Sequence, residues 1–263
     1  MLQCPGMGSS VTPRMPSHSP TRAEELRPGE PHELSNGRLI ECFPTGARGS
    51  RANLLGGSVL DTDPAVETAG VDTGFSPNPG TMRAPDIAVG NIPDTAGWAK
   101  GAPPLAVEYA DRGQDEAELT QKIEDLLEGG TRFVWVVRLQ GPRRVEVHEP
   151  GEEMRTVGPG EALTAPGILR NPVPVEALYD REAAHEATLQ NLLQRKGFAS
   201  LNDVQEEGRL AQARASLKRL LTRRGLPLSP DEEARIAACS DRAILERWFD
   251  QAVTASSPAE ALL

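Results

Sequence analysis

The stretch TMRAPDIAVGNIPDTAGWAKGAPPLAVEYADRGQDEAELTQKIEDLLEGGTRFVWVV, residues 81–137, decides how this chain is read. It predicts a strand, a loop, a second strand, a helix and a third strand. Asp86 opens the first strand just after Pro85. Along PPLAVEYA the alternation places Leu105, Val107 and Tyr109 on one face and Ala106, Glu108 and Ala110 on the other. Glu108 therefore sits between two small side chains, which leaves space beside a carboxylate in an otherwise apolar strand. The following helix, residues 114–128, turns Leu119, Ile123, Leu126 and Leu127 to one face. Lys122 lies on the flank of that stripe, where its stem can follow the core edge and its amine can reach the end of the sheet. Gly129-Gly130 stops the helix. If the two strands pair, Asp86 and Glu108 converge. Two convergent carboxylates and one lysine suit a hard divalent cation and a phosphate anion.

Outward from this stretch, HELSNGRLIECF predicts a hairpin, with Asn36-Gly37 supplying the positive-φ turn. Glu33 lies at its start. PTGARGSRANLLGGSVLDTD is expected to carry a helix cut by Gly49, Gly56 and Gly57, at roughly 1 kcal/mol per interior glycine relative to alanine. VETAGVDTGFSPNPGTMRAPDIAVG predicts a strand, a Pro/Gly loop and a second strand. TRFVWVVRL and RRVEVHEP predict a hairpin around Gly141-Pro142, with Trp135 in the core. GEEMRTVGPGEALTAPGIL predicts a further short strand and a turn.

These motifs carry a resemblance. PDIAV, PPLAVEYA, the helix with Lys122, FVWVV and VEVHEPG, with HELSNGRLIE (32–41) and TGFSPNPGTMRAPD (73–86), resemble the Uma-two family of restriction endonucleases. That family belongs to the PD-(D/E)XK nuclease superfamily. It is the order and spacing of the motifs, over residues 24 to 180, that make the likeness specific. The resemblance implies an α/β, restriction-endonuclease-like fold: a mixed β-sheet flanked by helices. It further implies a Mg2+-dependent DNA endonuclease, with the metal held by Asp86 and Glu108, Lys122 assisting, and Glu33 in the active-site neighbourhood. The superfamily's usual lysine, two residues after the strand Glu, is Ala110 here, so the role passes to the helical Lys122, where the family also shows a lysine. The family's Ser three residues after that Glu is Asp111, which either adds a metal ligand or spoils the site. Its early-helix His is replaced by Ser50 and Arg51, leaving Arg51 as a candidate phosphate contact.

Composition sets the outer limits. The formal net charge of −10 excludes a bulk nucleic-acid coater and confines any DNA contact to local basic patches. Cys4, Cys42 and Cys239 are too few and too scattered for a disulfide framework or a zinc site, which fits a reducing, cytoplasmic setting. No apolar run approaches the ~18 residues of a membrane span, and the N-terminus has no hydrophobic core of a secretory signal. No Gly-rich phosphate loop, G-x-S-x-G elbow or Cys/His cluster is present. Residues 1–22 are expected to be disordered, 23–180 to form the nuclease-like domain and 181–263 a helical appendage. In the appendage Ser229 and Glu232 make a capping box with Pro230 at the first helical position. Leu217, Leu220 and Leu221 on one helix, and Ile244, Leu245, Trp248 and Phe249 on the next, need a cover, either each other or a second copy in a homodimer. Arg209, Arg214, Lys218, Arg219, Arg223 and Arg224 read as a solvated face, with a DNA-backbone contact as the sharper alternative. The rival to an enzyme is a nuclease-fold interaction protein without chemistry, favoured by Asp111 and the glycine-split helix.

Overall fold

The computed structural model describes residues 22–263, and the disorder expected for residues 1–22 lies, Arg22 apart, outside them. The chain divides into two compact units, the first ending at Asn191 and the second running Leu192–Leu263. The first opens with the hairpin of β1 (His32–Ser35) and β2 (Arg38–Glu41). Asn36 and Gly37 take φ values of 48° and 79°, the two positive angles that a two-residue primed turn needs. Helix α1 (Ala47–Thr62) follows, then β3 (Ala69–Val71), β4 (Phe75–Asn78), β5 (Thr81–Arg83), β6 (Ile87–Val89), β7 (Ala99–Lys100) and β8 (Leu105–Ala110). Helix α2 (Glu116–Glu128) leads to β9 (Phe133–Arg138), β10 (Arg144–His148) and β11 (Arg155–Val157). The short β12 (Ala162–Leu163) and β13 (Val173–Pro174) pair with each other, and α3 (Arg181–Arg195) carries the chain across the division.

Six strands form the central mixed sheet in the order β11-β10-β9-β8-β6-β3. β8 and β9 run parallel with α2 as their crossover, and the other pairings are antiparallel. On one face Leu105, Val107 and Tyr109 join Leu60, Trp135 and Leu178 in the main core. On the other, Ala106 and Ala110 lie under Leu119, Ile123 and Leu126 of α2. The small side chains let α2 settle onto the sheet, and all of β8 is buried. Asp115 caps α2 by accepting from the N–H groups of Ala117 and Glu118.

Two expectations are corrected. First, α1 is continuous over 16 residues despite its glycines. Gly56 is buried against the sheet, where a Cβ would stand 2.1 Å from Tyr109 Oη and 3.3 Å from Leu178 Cδ2. The glycine admits close helix–sheet approach, and tertiary packing outweighs its propensity cost.

Second, the Pro/Gly loop before Asp86 is itself a hairpin, and the mixed sheet is not alone. β4 and β5 turn tightly at Pro79-Gly80 and belong to a five-stranded sheet, β2-β1-β5-β4-β7. The strand expected to open at Asp86 is β6, which begins at Ile87, while Thr81–Arg83 ahead of it form β5 of the other sheet. β5 pairs with β1, whereas β6 pairs with β3 and β8, and Ala84-Pro85-Asp86 is the bend between the two sheets. Pro85 has no N–H to leave unpaired at that bend. Asp86 stands at the corner.

The second unit holds α4 (Leu201–Arg223), α5 (Pro230–Ala238), α6 (Arg242–Thr254) and α7 (Pro258–Ala261). The expected capping box of Ser229 and Glu232 is present, with Pro230 as the first helical residue. Leu210, Leu217, Leu221, Ile236, Leu245 and Trp248 make one core, so the apolar faces of α4 and α6 cover each other. Phe249 stays 37% exposed. Two of the basic residues serve the helix ends. Arg214 donates to the Cys239 carbonyl after α5, and Arg224 donates to the Ala252 and Ala255 carbonyls at the end of α6. Among the described residues no helix is long and apolar enough to cross a membrane.

Candidate active site

Lys122 gathers the site. Its Nζ donates to the Ala84 carbonyl at 2.7 Å and to Glu108 Oε2 at 3.1 Å. The same nitrogen lies 2.9 Å from Glu108 Oε1 and 3.1 Å from Glu33 Oε1. Because Lys122 sits on the flank of the apolar face of α2, its stem is buried along the helix edge while its tip reaches the sheet corner. Asp86 comes in from the bend. Its Oδ2 accepts the backbone N–H of Tyr109 at 2.6 Å, the residue next to Glu108 on the neighbouring strand. The four residues singled out from the sequence, Glu33, Asp86, Glu108 and Lys122, thus meet from β1, the inter-sheet bend, β8 and α2.

Burial governs the charges. It pushes the Glu108 carboxyl up to about 8, with Lys122 opposing and Asp86 and Glu33 adding to the rise. Asp86 is also raised by burial, against the pull of Lys122 and the Tyr109 N–H. For Lys122 burial favours the neutral amine, but Glu108, Glu33 and Asp86 together outweigh it and hold the ammonium well above the usual lysine range. Lys122 keeps its proton, and the surplus of carboxylates is what titrates.

A second cation stands behind this group and was not anticipated. Arg83, with a side chain 3% exposed, donates from Nε to Asp125 Oδ2 at 2.7 Å and from Nη1 to Glu33 Oε2 at 3.0 Å. Both oxygens of Glu33 are therefore engaged by cations. Two signals were available in the sequence. Asp125 interrupts the apolar face of α2 three residues after Lys122, and Arg83 directly precedes Ala-Pro-Asp.

The question left open at Asp111 is answered by Arg48. The guanidinium bonds both oxygens of that carboxylate, Nε reaching Oδ2 at 2.8 Å, and holds it below the usual carboxylate range. Asp111 is thus committed to Arg48 rather than to Lys122. Arg51 is exposed on α1. Cys42, half-buried near Glu33, has its thiol pushed up to about 11 by burial first and Glu33 second, which disfavours the thiolate.

Among the described residues no group of three or more His, Cys, Asp or Glu side chains is placed to hold a metal ion. Mg2+ is usually held by only one or two carboxylates, with water and substrate phosphate completing the shell. Glu108 Oε1 is buried and meets the Lys122 ammonium at 2.9 Å as an ion pair, without an aligned hydrogen bond. Asp86 commits one oxygen to Tyr109 and keeps the other outside that bond. Four carboxylates (Glu33, Asp86, Glu108, Asp125) face two cationic side chains (Arg83, Lys122) in a largely buried cluster. The carboxylates outnumber the cationic side chains, an imbalance of the kind that a hard dication offsets.

A family model named Uma2, described as "Putative restriction endonuclease", matches residues 20–173, more than half of the chain. The chain belongs to this family. Among solved structures, a protein of Anabaena variabilis described as a "putative nuclease belonging to DUF820" is similar, with a TM-score of 0.53 and 20% identity. The match covers 63% of this chain and 99% of that one, and at this identity it bears on the fold alone. No curated protein matches. All four site residues of this Uma2 chain, with Arg83 and Asp125, lie inside the matched segment, and the helical second unit lies outside it.

Proposed function

We propose that this Uma2 protein is a divalent-cation-dependent DNA endonuclease whose phosphodiester hydrolysis takes place at Asp86 and Glu108. The observation that carries the reading is Glu108: a buried carboxylate raised to about 8, paired with the Lys122 ammonium and crowded by a second buried carboxylate, Asp86. A group held in that condition is destabilising unless it has a ligand to meet. Asp86 and Glu108 would hold the cation. When bound, Mg2+ supplies charge neutralisation at the phosphate and lowers the pKa of a bound water.

The chain's own residues have separate tasks. The Tyr109 N–H fixes the Asp86 carboxylate. Lys122 keeps a permanent positive charge at the corner, suited to stabilising negative charge that develops on a phosphate oxygen. Glu33 and the Ala84 carbonyl orient that ammonium. DNA is the substrate that membership in a family of restriction endonucleases supports, and the strongly acidic composition limits its contacts to local arginines.

The rival, a nuclease fold without chemistry, rested on Asp111 and on a broken early helix. Asp111 is neutralised by Arg48 and α1 is whole, so neither feature favours it. The test is supercoiled plasmid incubated with purified protein and Mg2+ or Mn2+. Nicking that EDTA abolishes supports the reading, and no cleavage of several DNA forms with either metal overturns it.

A further inference from the structure

Lys122 Nζ has more oxygen around it than an ammonium can bond. The Ala84 carbonyl stands at 2.7 Å, Glu108 Oε1 and Oε2 at 2.9 and 3.1 Å, and Glu33 Oε1 at 3.1 Å. An ammonium offers three N–H groups to these four atoms, and Glu108 Oε1 is buried without an aligned hydrogen bond. The charges are as uneven as the contacts. One ammonium meets two carboxylates directly, and Asp86 acts on it from nearby.

That surplus has the chemistry of a hard-cation shell. Mg2+ and Ca2+ take carboxylate and carbonyl oxygens, and either ion accepts about six or more of them. The spacing differs. Oxygens at 2.7–3.1 Å suit an ammonium, whereas a dication draws them in to about 2.0–2.6 Å. The acidic side chains therefore stand at a distance set by the lysine rather than by a metal. Ala84 lies in the inter-sheet bend, Glu33 on β1 and Glu108 on β8, so the fold as a whole assembles these oxygens about the lysine tip. A flexible four-carbon stem lets the amine withdraw without moving α2.

We propose that Lys122 is a tethered place-holder for the dication: its ammonium fills the position between Glu108, Glu33 and the Ala84 carbonyl, and a cation entering there displaces it. Both oxygens of Glu108 are closed by the lysine until that exchange takes place. The released ammonium is then free to meet a phosphate oxygen. This rests on the metal-dependent reading of the site, but its test does not depend on cleavage.

The chain has four lysines, of which Lys100 and Lys196 are exposed, so the Lys122 ammonium can be followed by nitrogen NMR in the full-length protein. Ca2+ is the probe, with its binding measured by calorimetry. The expected result is that wild-type protein binds Ca2+ and that proton exchange at Lys122 Nζ becomes about tenfold faster or more once it is bound. Ca2+ binding that leaves the Lys122 signal unchanged overturns the proposal, and so does wild-type protein that binds no Ca2+. Lys122→Met keeps the stem and removes the competing charge, so it should bind Ca2+ about tenfold more tightly. Equal or weaker binding by a folded Lys122→Met also overturns the proposal, and if that variant fails to fold the wild-type measurement decides alone. Displacement of Lys122 in a protein that nicks no plasmid supports the place-holder and defeats the nuclease reading. Nicking by a protein whose Lys122 signal ignores bound Ca2+ does the reverse.

Discussion

Glu33 and Glu108 share one ammonium: Lys122 Nζ stands 3.1 Å from Glu33 Oε1 and 2.9 Å from Glu108 Oε1, with the Ala84 carbonyl as its third neighbour. Removing that charge leaves two buried carboxylates facing each other. Lys122→Met is expected to cost about 3–5 kcal/mol, the usual consequence of leaving a buried ionic partner unpaired. Urea denaturation measures it. Added Mg2+ should recover part of the loss by replacing the missing positive charge, and a variant as stable as wild type would show that the carboxylates do not depend on Lys122.

Glu108 itself should separate function from stability. Glu108→Gln removes surplus negative charge from a crowded site while preserving shape, so its metal-free melting temperature is expected to equal or exceed that of wild type above neutral pH. Cleavage should fall by about 10³-fold or more, since a cation-binding carboxylate is lost. Asp86→Asn should lose activity similarly. A Glu108→Gln protein that still nicks plasmid at the wild-type rate would remove Glu108 from the site.

The pH dependence follows from the same residue. Folding raises Glu108 from 4.5 to about 8, so between those values the folded protein holds a proton that the unfolded chain has released. The contribution of Glu108 to stability in the metal-free protein therefore declines as pH rises through this window and levels off above 8. Metal affinity runs the other way, because the cation must displace that proton. Mn2+ binding is expected to strengthen by up to tenfold per pH unit below 8 and then to flatten. Calorimetry at pH 6, 7, 8 and 9 measures it, and a flat profile contradicts a shared proton and metal position.

Two neighbouring glycines in α1 should respond in opposite senses. Gly56→Ala puts a methyl 2.1 Å from Tyr109 Oη, and is expected to cost about 1–3 kcal/mol through overpacking despite better helix propensity. Gly57→Ala meets only Val71 Cγ1 at 3.8 Å and should gain about 0.5–1 kcal/mol. Paired thermal melts decide it; equal effects would mean that α1 does not rest on Tyr109 as described.

In the second unit, Arg224 closes the end of α6 by donating to the carbonyls of Ala252 and Ala255. Arg224→Met should cost about 1–3 kcal/mol in that unit by leaving those acceptors unmet, with DNA cleavage unchanged. Selective loss of DNA affinity without loss of stability would instead assign the residue to the phosphate backbone.

Much of the first unit was legible in the residues themselves. Period-two alternation in Leu105–Ala110 put Glu108 on the face of Ala106 and Ala110, and the helical stripe of Leu119, Ile123 and Leu126 put Lys122 on its flank, because local periodicity decides which way a side chain points. Asn36-Gly37 and Ser229 with Glu232 announced a turn and a cap for equally local reasons. The family resemblance then supplied the pairing of Asp86 with Glu108. What depends on contacts distant in sequence was not legible. Gly56 looked like a helix breaker until Tyr109 appeared 53 positions later as the group it must accommodate. Arg83 and Asp125, 42 residues apart, carry no local sign of one another, and only the fold that brings β5 against α2 makes them partners. A lone charge in a sequence carries no record of its partner. Only the closing of two sheets at one corner decided that Arg83 would hold Glu33, and that Glu33 would in turn share Lys122 with Glu108.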